Sequence, residues 1–333
     1  MSVCSSLVII VKDGDSQIVQ FSHFSVKEFL IAHRLAEPIR DVSRYHIRLE
    51  AAHTILAQAC LGVLLQLDDH IDCDNIKDFP LARYAAQYWP THARFEKVSL
   101  RIKDGMECLF DADKPHFATW LWVYNEDQET SMRTMSPKKP EAVPLYYAAM
   151  LGFHGLAEHL IAEHPEHVNA KGGRQHTSTH IAARAGHADI LSLLLEHGAD
   201  LESRNATNQT PLYQASVGGK LEAGQCLLDR GANIEARNDF DQTPLFIAVH
   251  YGHVELARLL LKRGASTNVL DNNFGATPLH RAVGDGNIQA VRLLLEHGAD
   301  VHARDKRGKT PSQLTKQQEI VELLSESGAE SVK

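Results

Sequence analysis

Thr277-Pro278-Leu279-His280-Arg281-Ala282 opens the stretch that decides the fold of this chain, and Leu293-Leu294-Leu295-Glu296-His297-Gly298-Ala299-Asp300 closes it. Working outward, Thr-Pro recurs at Thr210-Pro211-Leu212, Thr243-Pro244-Leu245 and Thr310-Pro311, so successive starts are 33, 34 and 33 residues apart. Thr177-Ser178-Thr179-His180 stands 33 residues before Thr210, and Val143-Pro144-Leu145 stands 34 before Thr177. The closing marker keeps the same step in Leu193-Leu194-Leu195-Glu196-His197-Gly198-Ala199, Leu227-Leu228-Asp229-Arg230-Gly231-Ala232 and Leu259-Leu260-Leu261-Lys262-Arg263-Gly264-Ala265. A fixed period of this length marks a stack of identical supersecondary units.

Each unit can be read physically. Pro at the first helical position loses no hydrogen bond, because that N–H has no partner in any helix. Small residues such as Ala182 and Ala183 let this first helix approach its neighbour closely. Gly-His pairs (Gly186-His187, Gly252-His253) reverse the chain into a second helix, which buries its Leu triplet. Gly198, Gly231, Gly264 and Gly298 then end that helix as left-handed caps. The polar run that follows, such as Arg237 to Gln242, is a projecting turn. The first unit departs, with Val143 for Thr and Pro165 where the capping Gly stands elsewhere. The last unit, from Thr310, is shortened and polar, as a terminal capping unit is.

The period, the T-P-L-H-x-A signature and the L-L-L-x-x-G-A marker resemble the ankyrin repeat over residues 142–333, with five full repeats and a shortened C-terminal cap. The resemblance implies a non-catalytic, curved stack that binds a protein through its concave face and hairpin tips. On this sequence the candidate partner-binding residues are Arg174, Arg184, Asp239, Phe240, His250, Tyr251, Asn273, Phe274, Asp285, Lys306 and Arg307. Phe240, Phe274, His250 and Tyr251 stand out, since exposed aromatics anchor interfaces.

The 333 residues carry a net charge of −8, which disfavours a nucleic-acid ligand. No run approaches the ~20 apolar residues of a membrane helix. Five cysteines without paired spacing read as free thiols, and a cytoplasmic protein without membrane attachment is the expectation.

Residues 1–100 read as a separate module and 101–141 as a helical connector and linker. Leu7–Val11 and Gln17–Phe21 flank Lys12-Asp13-Gly14-Asp15, a hairpin signal. Ser25 and Glu28 form a capping box that starts a helix over 26–36. A second helix spans 47–65, and a third, from Pro80, is closed by Pro90. Residues 106–124, rich in Phe and Trp, form a helical connector suited to cover the first repeat. Residues 125–141 are the linker.

The hairpin followed by Phe21, His23, Ser25, Glu28, Phe29 and Ala32 resembles the end of the winged-helix module in NACHT-type signalling NTPases, including fungal receptors that carry ankyrin repeats. This implies the C-terminal part of such a receptor, with the array as its sensor in innate-immune-type signalling. In that family the residue matching His23 reaches the nucleotide, so His23 is a nucleotide-sensing candidate only with a NACHT domain, as a partner in cis or acting in trans. No G-x-x-x-x-G-K-[ST] phosphate loop occurs in the sequence.

The expected fold class is therefore all-α: an ankyrin solenoid with short β-hairpin tips, preceded by a small helical module with an N-terminal hairpin, a winged-helix remnant. No enzyme activity, cofactor or metal is expected. His23, Ser25 and Glu28 lack the nucleophile elbow of a hydrolase, and the capping box accounts for two of them. His154, His159 and His164 recur every five residues and drift around a helix. His164 and His167 lie across Pro165 and read as solvated. Asp68-Asp69-His70 reads as a solvated turn.

Overall fold

The computed structural model describes residues 8–13, 16–21, 49–68, 70–79, 81–95, 97–125, 137 and 140–330. In the second half, Pro144–Leu151 pairs with His154–Glu163, and Ser178–Ala185 pairs with Ala188–Glu196. Pro211–Gly218 pairs with Leu221–Asp229, Pro244–His250 with Val254–Lys262, and Pro278–Gly284 with Ile288–Glu296. The final unit replaces its first helix with the 3-10 turn Pro311–Leu314 and ends in Gln318–Glu330. The fold is the helical repeat stack expected from the period.

Local chemistry sets each helix start. Thr210, Thr243 and Thr277 accept the backbone N–H three residues ahead, each at 3.3 Å, and Pro follows at the first helical position. The turn between paired helices needs glycine twice over. Gly219 has φ +63°, and a Cβ there would fall 2.4 Å from the His253 ring of the next repeat. The seated ring then points Nε2 at the Val217 carbonyl, 3.2 Å away, locking one repeat to the next. Second helices end at Gly198, Gly231, Gly264 and Gly298, with φ of +82°, +85°, +92° and +76°. Leu194, Leu227, Leu260 and Leu294 are wholly buried, so the Leu marker is the inner face of the stack.

In the N-terminal half, strands Val8–Asp13 and Ser16–Phe21 pair antiparallel, with Asp13 opposite Ser16. His23, Ser25, Glu28 and the helix expected over 26–36 lie outside the described residues, as does most of the 125–141 segment. The helix expected over 47–65 is Leu49–Leu64.

Two expectations are corrected. The helix read as closed by Pro90 runs Ala82–Ala93, with Pro90 inside it. Proline has no N–H to give the carbonyl four residues back, Ala86. The indole Nε1 of Trp120 donates to that carbonyl at 3.1 Å, so the helix continues with its acceptor satisfied. The single connector expected over 106–124 is two helices, Lys103–Leu109 and Pro115–Asn125. Asp111 accepts the Asp113 N–H at 3.0 Å in a tight turn between them, and Pro115 starts the second.

These helices cover the first repeat. Trp89 stacks on Phe153 at 5.3 Å, and Phe117 and Trp120 meet Tyr147 edge-on at 5.4 and 6.2 Å. Arg94 Nε donates to the Leu151 carbonyl at 2.7 Å. One apolar core runs from Ala57 to Leu324.

Candidate protein-binding surface

The projecting turns are built by one side chain per repeat. Asn205 Oδ1 accepts the N–H groups of Thr207 and Gln209 at 3.0 and 2.9 Å. Asn238 accepts those of Phe240 and Gln242, both at 2.9 Å. Asp271 accepts from Phe274 and Ala276 at 3.3 and 2.7 Å, and Asp305 from Arg307 and Lys309 at 2.9 and 2.8 Å. The Lys309 and Arg307 N–H groups hold the Asp305 carboxyl below the usual carboxylate range. Residue-by-residue reading missed these four; their common phase in the period was the available signal.

Adjacent tips then join through the backbone. Ala206 N–H meets the Arg174 carbonyl at 3.0 Å, Asp239 meets Thr207 at 3.2 Å, Asn272 meets Phe240 at 2.9 Å and Lys306 meets Phe274 at 2.8 Å. The tips are turns laced into a row rather than regular strands; Lys171 and Thr177 form an isolated bridge at its start.

Ten of the eleven candidate residues are exposed in this row and on the first-helix ends, and His250 is half-buried. Phe240, Tyr251 and Phe274 expose 44%, 53% and 54% of their surface, too much for core packing. The Arg307 guanidinium lies 5.9 Å from the centre of the Phe274 ring. Asp239 accepts from Asn208 at 2.8 Å. Arg281 Nε lies 2.8 Å from His250 Nδ1 and 3.0 Å from Asp285, so those candidates form one neutralised group. Lys306 Nζ donates to the Asn272 carbonyl. Among the described residues no carboxylate pairs with Arg174, Arg184 or Arg307.

Under these tips lies a second, small apolar cluster that the sequence reading did not single out. Tyr213, Phe246 and Ile247 are buried, with Val217 and Ala276 packed on them. Tyr213 and Phe246 stand where His180 and His280 stand in other repeats. The histidines link repeats: His180 Nδ1 faces the Thr177 N–H at 3.2 Å, and Nε2 donates to the Gln209 carbonyl at 2.9 Å. Tyr213 substitutes a hydroxyl that accepts from Asn238 at 2.9 Å and donates to Gln242 at 3.3 Å. Burial pushes its phenol up. The middle repeats thus hold a buried apolar cluster where other repeats hold linking histidines, in a row that has Arg174 and Arg184 towards one end and Lys306 and Arg307 towards the other.

A family model described as "Ankyrin repeats (3 copies)" matches residues 145–238, 219–305 and 270–332. The chain belongs to the ankyrin-repeat family. Over 212 residues this ankyrin protein is 31% identical to the "Azaphilone pigments biosynthesis cluster protein L" of Monascus ruber. That match takes in 58% of the chain and 44% of the relative, so the chain spans less than half of the relative's length. It is also similar to the crystal structure of the ankyrin repeat domain of Bcl-3, described as a unique member of the IkappaB protein family. There the TM-score is 0.52 at 27% identity, covering 57% of this chain and 87% of that one. Ankyrin repeats are protein–protein interaction modules. Among the described residues no helix is long and apolar enough to cross a membrane.

Proposed function

We propose that the array binds one partner protein across the tips and first-helix ends of its middle repeats, through an apolar segment flanked by carboxylates. The exposure of Phe240, Tyr251 and Phe274, in the same repeats that hold the buried Tyr213–Phe246–Ile247 cluster, carries this reading. The basic residues at both sides favour the acidic flanks. Because the tips are bonded to one another, the surface is preformed and little conformational entropy is lost on binding. Phe240→Ala, Tyr251→Ala and Phe274→Ala are each expected to weaken partner binding by ~1 kcal/mol or more, without lowering the melting temperature. Leu260→Ala, a buried truncation, is expected instead to cost ~2–5 kcal/mol of stability. Titration calorimetry beside thermal melts separates the two. Unfolding by a tip variant would make that residue core and end the proposal.

The motif around His23 supports a narrower setting, the sensor part of a NACHT-type receptor or a regulatory fragment acting in trans on a separate NACHT NTPase. It rests on the sequence resemblance. His23→Ala is then expected to change ADP retention in the reconstituted complex, and unchanged retention removes this setting while leaving the binding surface intact.

A further inference from the structure

The turn that ends the first repeat differs from those that end the second to fifth. Its second helix stops at His164, with φ −134°, and passes into the 3-10 turn Pro165–His167 instead of a left-handed glycine. The sequence reading set His164 and His167 apart because Pro165 lies between them. The structure corrects this: the His167 N–H closes the turn on the His164 carbonyl, and that closure brings the two side chains together. The two imidazoles stack with centroids 4.8 Å apart. Glu166 Oε1 lies 3.3 Å from His164 Nδ1 and 3.8 Å from His167 Nε2, and the three ligand atoms all fall within 4.8 Å of one another.

We propose that His164, Glu166 and His167 bind a divalent transition metal of the zinc class at the outer end of the first repeat. Two donors held about 2.0–2.1 Å from one tetrahedral ion stand roughly 3.3–3.5 Å apart; the His164–Glu166 pair is already at 3.3 Å, and the other pairs, 3.8 Å and within 4.8 Å, close on the ion by side-chain rotation. Two nitrogens and one carboxylate oxygen, with water in the open position, suit zinc rather than the all-oxygen shells of calcium or magnesium. The frame is preorganised. Pro165 fixes its own φ, and the backbone closes the turn through His167 N–H to the His164 carbonyl at 2.9 Å. The side chains sit at the surface, where an ion reaches them without opening the fold. His297, which follows the second helix of the fifth repeat as His164 follows that of the first, instead points Nδ1 at the Leu293 carbonyl, 2.9 Å away, and is followed by Gly298 with no second histidine. The turn therefore assembles a ligand set that the repeat pattern does not supply.

The test titrates the metal-free full chain with Zn²⁺ by calorimetry and with Co²⁺ by visible absorption. The wild type is expected to take up an equivalent that gives the spectrum of low-symmetry, nitrogen- and oxygen-ligated Co²⁺. Loss of an outer-shell partner of a metal site costs ~10–100-fold in affinity, so His164→Ala and His167→Ala should lose at least that much, and Glu166→Gln should weaken binding too. His297→Ala should change nothing, and all variants should melt with the wild type in the absence of metal. Equal binding by the wild type and the His164→Ala/His167→Ala double variant, or no binding by the wild type, overturns the proposal.

Discussion

His180 carries a single proton, on Nε2, by the pattern of its bonds: Nε2 gives to the Gln209 carbonyl while Nδ1 faces the N–H of Thr177. A second proton at Nδ1 would meet a donor, and burial lowers the ring's pKa from 6.5 to about 4. The unfolded chain therefore takes up this proton first as the pH falls. The His180 contribution is complete above pH 6.5, declines between 6.5 and about 4, and is constant below. Denaturant midpoints should fall across that window, with His180 contributing up to about 3 kcal/mol. His180→Gln should flatten the slope without abolishing it, because burial also lowers His176 and His187. An unchanged slope in the variant would contradict the assignment. Both the T-P-L-H histidines and the exposed aromatics were legible in the sequence, because the period fixes which phase faces water. The Asn and Asp side chains that shape the tips were not. Their common phase in the period marks them as a set, but the backbone N–H groups that each accepts are visible only in the fold.

Helix starts and stops followed the sequence wherever the deciding group was local. Thr-Pro at the start and Gly at the end were enough for the third to fifth repeats. Pro90 failed as a stop because its compensation comes from elsewhere, from a tryptophan 30 residues along the chain. Trp120→Phe should keep the aromatic packing but leave the Ala86 carbonyl buried and unpaired, a loss of ~1–3 kcal/mol. Adding Pro90→Ala should return part of it, since Ala at that position has an N–H for the same carbonyl. A double-mutant cycle by chemical denaturation reads the coupling. Additive losses would mean that the indole bond is incidental. The His164–His167 pair escaped the sequence reading for a similar reason: helical spacing was assumed where the chain adopts a 3-10 turn.

At the scale of the molecule, a repeat stack is stable only if its end units are covered. The C-terminal end does this with the shortened unit and Gln318–Glu330. At the other end the cover is Trp89, Phe117 and Trp120 laid against Tyr147 and Phe153, an arrangement the aromatic run at 106–124 had suggested. Hydrogen exchange should therefore protect the helices Ala82–Ala93 and Pro144–Leu151 to a similar degree, as parts of one core; protection that differs widely would make the cover a loose appendage. Anchored at both ends, the middle repeats hold their tips and first-helix ends in fixed register, which is what a recognition surface requires. That claim is tested most directly by placing a photo-crosslinking amino acid at position 240, 251 or 258 of the full chain in lysate from the source organism. Positions 240 and 251 lie on the proposed surface and 258 on the outer second helix. The account predicts one shared adduct from 240 and 251 and none from 258. Excess wild-type chain should compete the adduct away, and the Phe240→Ala/Phe274→Ala variant should not. An adduct formed chiefly at 258, or competed equally by both chains, would contradict it.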